Sequence, residues 1–138
     1  MYGTGSVFKA EPFIKITLTG GCYMEYRYKL EIELDEDKIR ADGEYTVEQL
    51  RQHIIDSFAD VGIINMVEDG KTIIFIDNSY NFDYFARFGL IASDLYYDEP
   101  WFSKYANKML WYNAEHGNDH CEDVIAVFTR GDKLYGTA

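Results

Sequence analysis

Five side chains that could bind a metal ion or take part in catalysis lie within seven residues, and they are His116, Asp119, His120, Cys121 and Glu122. Zinc accepts these ligand types, so a small metal-dependent enzyme or sensor is one alternative for this chain. The span lacks a Cys-x-x-Cys pair, and the other cysteine, Cys22, lies far away in the sequence. Nucleophilic catalysis needs a base beside the thiol, whereas adjacent side chains point apart on most backbones. The pattern is more typical of a polar loop that leads into a capped helix, so we expect no catalytic site, no metal and no cofactor.

A second group of acids resembles the start of a calcium-binding loop. Residues 35–37 are all acidic and are followed by Asp42. The loop pattern fails, because Ile39 occupies the position of an oxygen ligand and Arg40 that of the required glycine. The chain also has no Gly-x-Ser-x-Gly, no phosphate-binding glycine loop and no His-Glu-x-x-His. The acidic run is therefore either a solvated loop or a recognition surface.

The net charge of −11 comes from two short stretches of the chain. Residues 31–48 hold eight acids against two bases, and residues 94–123 hold seven acids against two bases. The remaining residues are neutral as a set. Concentrated negative charge on an aromatic-rich chain favours a surface that meets something positive. It also argues against direct binding to nucleic acid or to anionic membranes, which both require Lys and Arg.

Length and composition indicate one globular domain over residues 1–138, with residues 1–10 as a loose N-terminal arm. The chain is 47% hydrophobic and 17% aromatic, which is enough to build a core. It has no apolar run near the roughly 20 residues that span a bilayer. We expect a cytoplasmic protein with reduced cysteines, because the first residues show no basic region followed by an apolar stretch.

The first half of the chain predicts two strands, a helix and a hairpin. Residues 13–18 alternate as a half-buried strand, Gly20-Gly21 makes a turn, and residues 22–34 alternate as one long antiparallel strand. On that strand, Tyr26, Leu30 and Ile32 should face the core, and Glu31 and Glu33 should face water. The core-facing side should pack on Leu50, Ile54 and Phe58 of the next helix.

Residues 35–44 are predicted as a polar connection, after which Thr46 and Gln49 form a capping box for a helix over residues 47–61. Two apolar runs, residues 63–67 and 72–76, predict a second hairpin. Because neither run alternates, both are predicted to be central strands covered on two faces.

The second half is predicted to be helical. A helix spans residues 80–97, with an apolar stripe of Phe82, Phe85, Gly89, Ala92 and Leu95. Pro100 marks the start of another helix, whose apolar stripe is Phe102, Tyr105, Met109 and Tyr112. Residues 114–120 form a polar loop, and residues 120–129 fit either a helix or a strand. The predicted class is α+β, with a four-stranded, mainly antiparallel sheet (ββαββ) and two or three C-terminal helices.

Trp101 and Trp111 lie outside the apolar stripe of the helix predicted after Pro100, so at least one of them is a candidate for a protein interface. Tyr23, on the solvent-facing side of the long strand, is a similar candidate. The complete set of candidate partner-binding residues combines these aromatics with the acids of both stretches. They are Tyr23, Glu31, Glu33, Asp35, Glu36, Asp37, Asp42, Glu44, Trp101, Trp111, Glu115 and Asp119.

A small, acidic, aromatic-rich domain with charge on hairpin and helix edges resembles the inhibitors of bacterial defence that phages and mobile elements encode, the anti-CRISPR and anti-restriction type. The segment WFSKYANKMLWYN, residues 101–113, is also similar to short proteins of bacterial conjugative elements. The resemblance implies a non-enzymatic inhibitor whose carboxylates replace phosphates in the basic groove of a nucleic-acid-handling protein. A CRISPR effector nuclease is then the first partner to test. An immunity protein against a basic nuclease toxin would carry the same surface, and that alternative stays open.

Overall fold

A five-stranded antiparallel sheet with helices packed on one face forms the centre of the fold. The computed structural model describes residues 14–16, 22–24, 26–78, 83–117 and 119–135, and it describes side chains for residues 26–132 of these. The strands are β1 (Ile14–Ile16), β2 (Cys22–Met24), β3 (Tyr28–Leu34), β4 (Met66–Asp69), β5 (Thr72–Asp77), β6 (Ala106–Asn113) and β7 (Glu122–Asp123). The helices are α1 (Glu36–Asp42), α2 (Val47–Ala59), α3 (Asp83–Asp98), α4 (Pro100–Tyr105) and α5 (Val124–Tyr135).

The main sheet has the strand order β4-β5-β3-β6-β7, and β1 and β2 pair separately. The α+β class is therefore confirmed, and the details differ. The main sheet has five strands where four were predicted, and helix α1 lies within the part predicted as ββαββ. The three helices α3, α4 and α5 of the described residues agree with the two or three C-terminal helices predicted. The predicted arm at residues 1–10 and the turn at Gly20-Gly21 lie outside the described residues.

Strand β3 is shorter than the predicted strand over residues 22–34. It begins at Tyr28, and a bend at Arg27 separates it from β2. The physical reason is the length of its neighbours, because Tyr28 pairs with Asp77 on one side and Asn113 on the other, and β5 and β6 end there. Among the described residues, no strand of the main sheet lies beside the chain N-terminal to the bend, and β2 pairs with β1 instead.

The alternation within β3 is confirmed, since Tyr28, Leu30, Ile32 and Leu34 are all buried. As predicted, Leu30 and Ile32 share one core with Leu50, Ile54 and Phe58, and Glu31 and Glu33 point to the other face of the sheet. Within this core the ring of Phe58 stacks on Phe75 with their centroids 4.2 Å apart. All five helices contribute side chains to this core or pack against it.

Tyr26 is not part of that core. The bend at Arg27 turns its ring toward Tyr112, with centroids 6.2 Å apart. Tyr112 lies on the opposite face of the sheet from Leu30, because its register partner is Lys29. The prediction that Tyr26 would be buried with the core was wrong for this reason.

Helix α1 replaces the polar connection that was predicted for residues 35–44. The Asp35 side chain accepts a hydrogen bond from the Lys38 amide and caps the helix, and Gly43 ends it in the left-handed conformation with φ 71°. Ile39, the single large apolar residue in the stretch, is completely buried. One buried side chain and two good caps are enough to form a helix in an otherwise acidic segment.

Helix α2 forms as predicted, with the capping box of Thr46 and Gln49, although it ends at Ala59. The hairpin that follows is only half as predicted. β5 is central and buries five consecutive residues, but β4 is an edge strand with Glu68 and Asp69 exposed. The apolar character of residues 63–67 does not come from two covered faces, since Ile64 is exposed.

The helix predicted over residues 80–97 is present as α3, and Phe82 of its predicted stripe lies outside the described residues. Its buried face is Phe88, Ile91, Ala92 and Leu95. Phe85, which was predicted to belong to the apolar stripe of α3, is 51% exposed, so the predicted stripe covers only part of the buried face.

The largest correction concerns residues 106–113, which form strand β6 and not a continuation of α4. Only Phe102 and Tyr105 of the predicted stripe belong to a helix. In β6, Met109 and Trp111 face the core side of the sheet. Without β6 one edge of β3 would keep unpaired backbone groups next to the core, which is costly.

The end of the described chain resolves the alternative left open for residues 120–129. Residues Glu122–Asp123 pair briefly with β6, and helix α5 starts at Val124. Asp123 caps this helix by accepting a hydrogen bond from the Ala126 amide.

Ile39→Ala tests whether α1 is part of the fold. Because Ile39 is fully buried, we expect the change to lower the free energy of unfolding by about 2–4 kcal/mol. Ile64→Ala is the matched control, since Ile64 is 69% exposed, and it should change stability by less than about 0.5 kcal/mol. Urea denaturation of both variants measures the difference, and equal effects would show that residues 35–44 are the solvated connection.

Candidate protein-interaction surface

Glu31 and Glu33, which were predicted on the wet face of β3, are engaged within the protein. The Glu31 carboxylate accepts a hydrogen bond of 3.0 Å from the Tyr112 hydroxyl and lies 3.4 Å from the Lys29 ammonium. Burial raises the pKa of the Tyr112 phenol, and its contact with Cys121 and the charge of Glu31 raise it further. The Glu31 side chain is 23% exposed, so it presents little free charge.

Glu33 has two partners on β6, the neighbouring strand. Its carboxylate accepts a 3.2 Å hydrogen bond from the Asn107 amide and lies 3.7 Å from the Lys108 ammonium. Its side chain is 16% exposed. Cross-strand pairing of this kind stabilises the sheet and reduces the charge that a partner would meet.

The acids of α1 have structural roles as well. Asp35 caps the helix, and Glu36 binds Arg40 and Arg51 at 3.3 Å each. Arg51 belongs to α2, so Glu36 ties α1 to α2. Asp37 differs, because its side chain is fully exposed and lies 3.5 Å from Arg40 at the surface.

Asp42 closes α1 against α4. Its carboxylate accepts a 2.8 Å hydrogen bond from the buried Tyr105 hydroxyl and lies 3.2 Å from the Lys104 ammonium. The Tyr105 hydrogen bond, together with Lys104, holds the pKa of Asp42 below its usual value. Glu44 is exposed and has no ion pair within the described residues.

The predicted site residues of the second stretch separate in the same way. Glu115 binds the Arg27 guanidinium at 2.6 Å and accepts a hydrogen bond of 3.3 Å from the Tyr28 hydroxyl. Asp119 is exposed and makes no such contact within the described part of the chain.

The sequence predicts Trp101 and Trp111 on one helical segment, with at least one of them available for an interface, but the structure places them on different elements. Trp101 lies on α4, is 8% exposed, and donates its indole N–H to Glu99 at 3.2 Å. Trp111 lies on β6 and stacks on Tyr28, with centroids 5.5 Å apart. The side chain of Tyr23 lies outside the described side chains.

The cluster of His116, Asp119, His120, Cys121 and Glu122 does not converge on one point. The imidazole centroids of His116 and His120 are 5.1 Å apart, and His120 Nδ1 accepts a 3.2 Å hydrogen bond from the Asn113 amide. Within the described residues, no group of three His, Cys, Asp or Glu side chains is arranged to hold a metal ion.

An acidic groove between α2 and α3 was missed by the sequence analysis. It encloses about 280 Å³, and its described lining consists of Ser57, Asp60, Ile91, Asp94, Leu95, Asp98 and Glu99. Four of these seven side chains carry carboxylates, and none is Lys or Arg. Asp60, Asp94 and Asp98 have no ion pair within the described residues, whereas Glu99 binds His53 Nε2 at 3.1 Å.

Two of the groove acids, Asp60 and Asp98, lie at helix ends where negative charge opposes helix stability. Asp60 caps the C-terminal end of α2, and Asp98 is the last residue of α3, and neither helix has a base in its last turn. The C-terminal end of a helix carries partial negative charge, so carboxylates there are unfavourable. The sequence did contain a signal for this groove, because Asp94 and Asp98 are spaced i, i+4 on one helix with no base nearby. Two like charges at this spacing repel each other and destabilise the helix.

Comparisons with protein-family models, with curated proteins and with solved structures found no match to this chain. In the part of the chain that the structure describes, no helix has the length and apolar character needed to cross a membrane. The acidic groove and the exposed acids around it are therefore characterised by their geometry alone.

Glu36→Lys tests the structural role of the paired acids. It replaces two ion pairs by repulsion from Arg40 and Arg51, so we expect the free energy of unfolding to fall by about 1–2 kcal/mol. Glu44→Lys makes the same charge change at an exposed position without a partner, and stability should change by less than about 0.5 kcal/mol. If both variants have the same urea midpoint as the unmodified protein, the α1–α2 ion pairs contribute nothing.

Asp42→Asn tests the lowered pKa of Asp42 by its pH dependence. A carboxyl whose pKa is lower in the folded state stabilises the fold above its unfolded pKa of about 3.9, and this contribution is lost as the pH falls through the folded value. The unmodified protein should therefore be more stable than the variant at neutral pH, and the gap should close below about pH 4. Urea denaturation of both proteins from pH 7 to pH 3 measures this difference in stability. A difference that stays constant over the whole range would contradict the lowered pKa of Asp42.

Proposed function

We propose that this chain is a non-enzymatic protein that binds a basic surface of a partner protein through the acidic groove between α2 and α3. The partner surface normally holds nucleic acid, so occupying it inhibits the partner. The observation that carries the proposal is the set of four carboxylates on one groove without a lining base. Asp37 on α1 and Glu44 before α2 are exposed acids too, but they are not part of the groove lining.

The groove is suited to Lys or Arg side chains. Its negative field has two sources, the carboxylates and the C-terminal ends of α2 and α3. An arginine side chain can bind a carboxylate with two parallel hydrogen bonds, as it binds a phosphate. Each exposed pair is worth only about 0.2–1 kcal/mol, so the main effects should be faster association and strong salt dependence.

Acids that destabilise their own helices are easier to explain by binding than by folding. Glu31, Glu33, Glu36 and Glu115 all have partners within the protein, and their charge is already used to stabilise it. Of the groove acids, Asp60, Asp94 and Asp98 have no such ion pair within the described residues, whereas Glu99 binds His53. Residues retained at a cost to stability are typical of functional sites.

The class of partner comes from the resemblance to phage- and mobile-element-encoded inhibitors. It makes a CRISPR effector nuclease the first candidate. A basic nuclease toxin neutralised by this chain is the second candidate, because its surface offers the same charge. Both candidates use the same groove and can be compared in one experiment.

Neutralising the groove with Asp60→Asn, Asp94→Asn and Asp98→Asn together tests the proposal. Binding to CRISPR effector nucleases and to basic nuclease toxins is measured by surface plasmon resonance at 50 and 500 mM salt. We expect the triple variant to associate at least tenfold more slowly at low salt, because the attraction is electrostatic. The same variant should be more stable than the unmodified protein by about 0.5–1 kcal/mol, because unfavourable helix charges are removed.

The control removes the same number of charges elsewhere, with Glu44→Gln, Glu48→Gln and Asp69→Asn. It should slow association by less than about threefold, since only the long-range field is reduced. If the control and groove variants lose binding equally, the groove is not the interface. If neither candidate class binds the unmodified protein at low salt, the proposed function is wrong.

A further inference from the structure

An apolar pocket lies on the other side of α3 from the acidic groove, between α3, α5 and the sheet. It has a volume of about 180 Å³, and its lining includes Phe85, Phe88, Gly89, Trp111, Glu122 and Phe128. An apolar protein cavity of about 150 Å³ is enough to bind benzene. The volume therefore suits a single aromatic ring with a short substituent.

Aromatic side chains make up much of the wall. Trp111 packs edge-to-face on Phe85 and lies 5.2 Å from Phe88, measured between ring centroids. Phe88 is buried, whereas Phe85 is 51% exposed and leaves one side of the pocket open to solvent. Phe128 of α5 forms part of the opposite wall. Aromatic faces of this kind attract apolar rings and cations.

Glu122 is the single charged residue of the described lining. It is exposed, and it makes no ion pair or side-chain hydrogen bond within the described residues. A carboxylate beside aromatic rings complements an ammonium group, which gains both an ion pair and a cation–π contact. The charge of the pocket thus selects a cation over a neutral or anionic ligand.

Gly89 leaves the wall of α3 open at the pocket. A Cβ atom built on Gly89 would meet nothing within 4 Å, and the residue lies within regular helix. A Cβ has room at this position, and because Gly89 lines the pocket, a long side chain such as leucine would compete with a ligand for its space. This position therefore provides a way to close the pocket without disturbing the fold.

We propose that the pocket between α3, α5 and the sheet binds a small aromatic molecule that carries a protonated amine. The ring lies among Phe85, Phe88, Trp111 and Phe128, and the ammonium group binds Glu122. This site is separate from the acidic groove, so it does not rest on the function proposed above.

The probes are three phenyl compounds of matched size: 2-phenylethylamine, 2-phenylethanol and 3-phenylpropionate. Binding to the full chain is measured by isothermal titration calorimetry and by tryptophan fluorescence excited at 295 nm, where these probes do not absorb. We expect the amine to bind with a dissociation constant of about 0.1–1 mM. The alcohol should bind about three- to tenfold more weakly, and the carboxylate more weakly still.

Two pairs of variants assign the binding to this pocket. Gly89→Leu should weaken binding of the amine at least tenfold without lowering the melting temperature of the protein. Gly131→Leu is the control, because Gly131 is a helical glycine of α5 that does not line the pocket, and it should leave amine binding unchanged. Glu122→Gln should lower amine affinity to that of the alcohol and leave alcohol affinity unchanged. Asp69→Asn removes an equal charge on β4 and should leave the preference intact.

The assignment is overturned if the unmodified protein binds the alcohol as tightly as the amine, since the pocket would then be merely apolar. Unchanged amine binding in Gly89→Leu would overturn it too, because the ligand would lie elsewhere. A second copy of the chain is the competing occupant. A dimer in sedimentation velocity that Gly89→Leu dissociates would show that a copy fills the pocket and would also overturn it.

Discussion

Strand β3 lies between β5 and β6, and the need to pair both of its edges is the constraint on which the rest of the structure depends. Its seven residues alternate strictly between a buried face and a polar face. A strand buried in this way must satisfy its backbone groups on both sides. The hairpin after α2 supplies one partner, and residues 106–113 have to supply the other. The helices then cover the face that carries Leu30 and Ile32.

The acids of this chain divide into two groups that the net charge does not distinguish. One group is held by Lys, Arg or Tyr and connects elements, as Glu36 connects α1 to Arg51 of α2. The other group, which includes Asp60, Asp94 and Asp98, has no cation nearby among the described residues. The number of acids in the sequence shows that the protein is acidic. Which of these acids are paired with Lys, Arg or Tyr decides which part of the surface is negative. The acidic groove follows from that distinction and not from the densest acidic run.

Local signals predicted local structure well. The capping box of Thr46 and Gln49 and the alternation of β3 both act over a few residues, and both are present. Strand β6 could not be predicted in the same way, because residues 102–112 fit a helical stripe and only pairing with a distant strand overrides it. Ile39 shows the reverse problem, since one apolar residue among acids gives no periodicity and yet determines a helix. For the candidate site, the sequence located the charge but not its neutralisation, which depends on contacts such as Glu33 with Lys108.

The two edges of the main sheet have a consequence for how copies of this protein behave at high concentration. An exposed sheet edge offers unpaired backbone groups to another chain and can start edge-to-edge aggregation. Here β7 has only two residues, both acidic, and β4 ends in the exposed acids Glu68 and Asp69. Copies that approach through these edges repel each other at neutral pH. That protection comes with the net negative charge of the whole chain, which vanishes at the isoelectric point near pH 4.5, so copies associate most readily there.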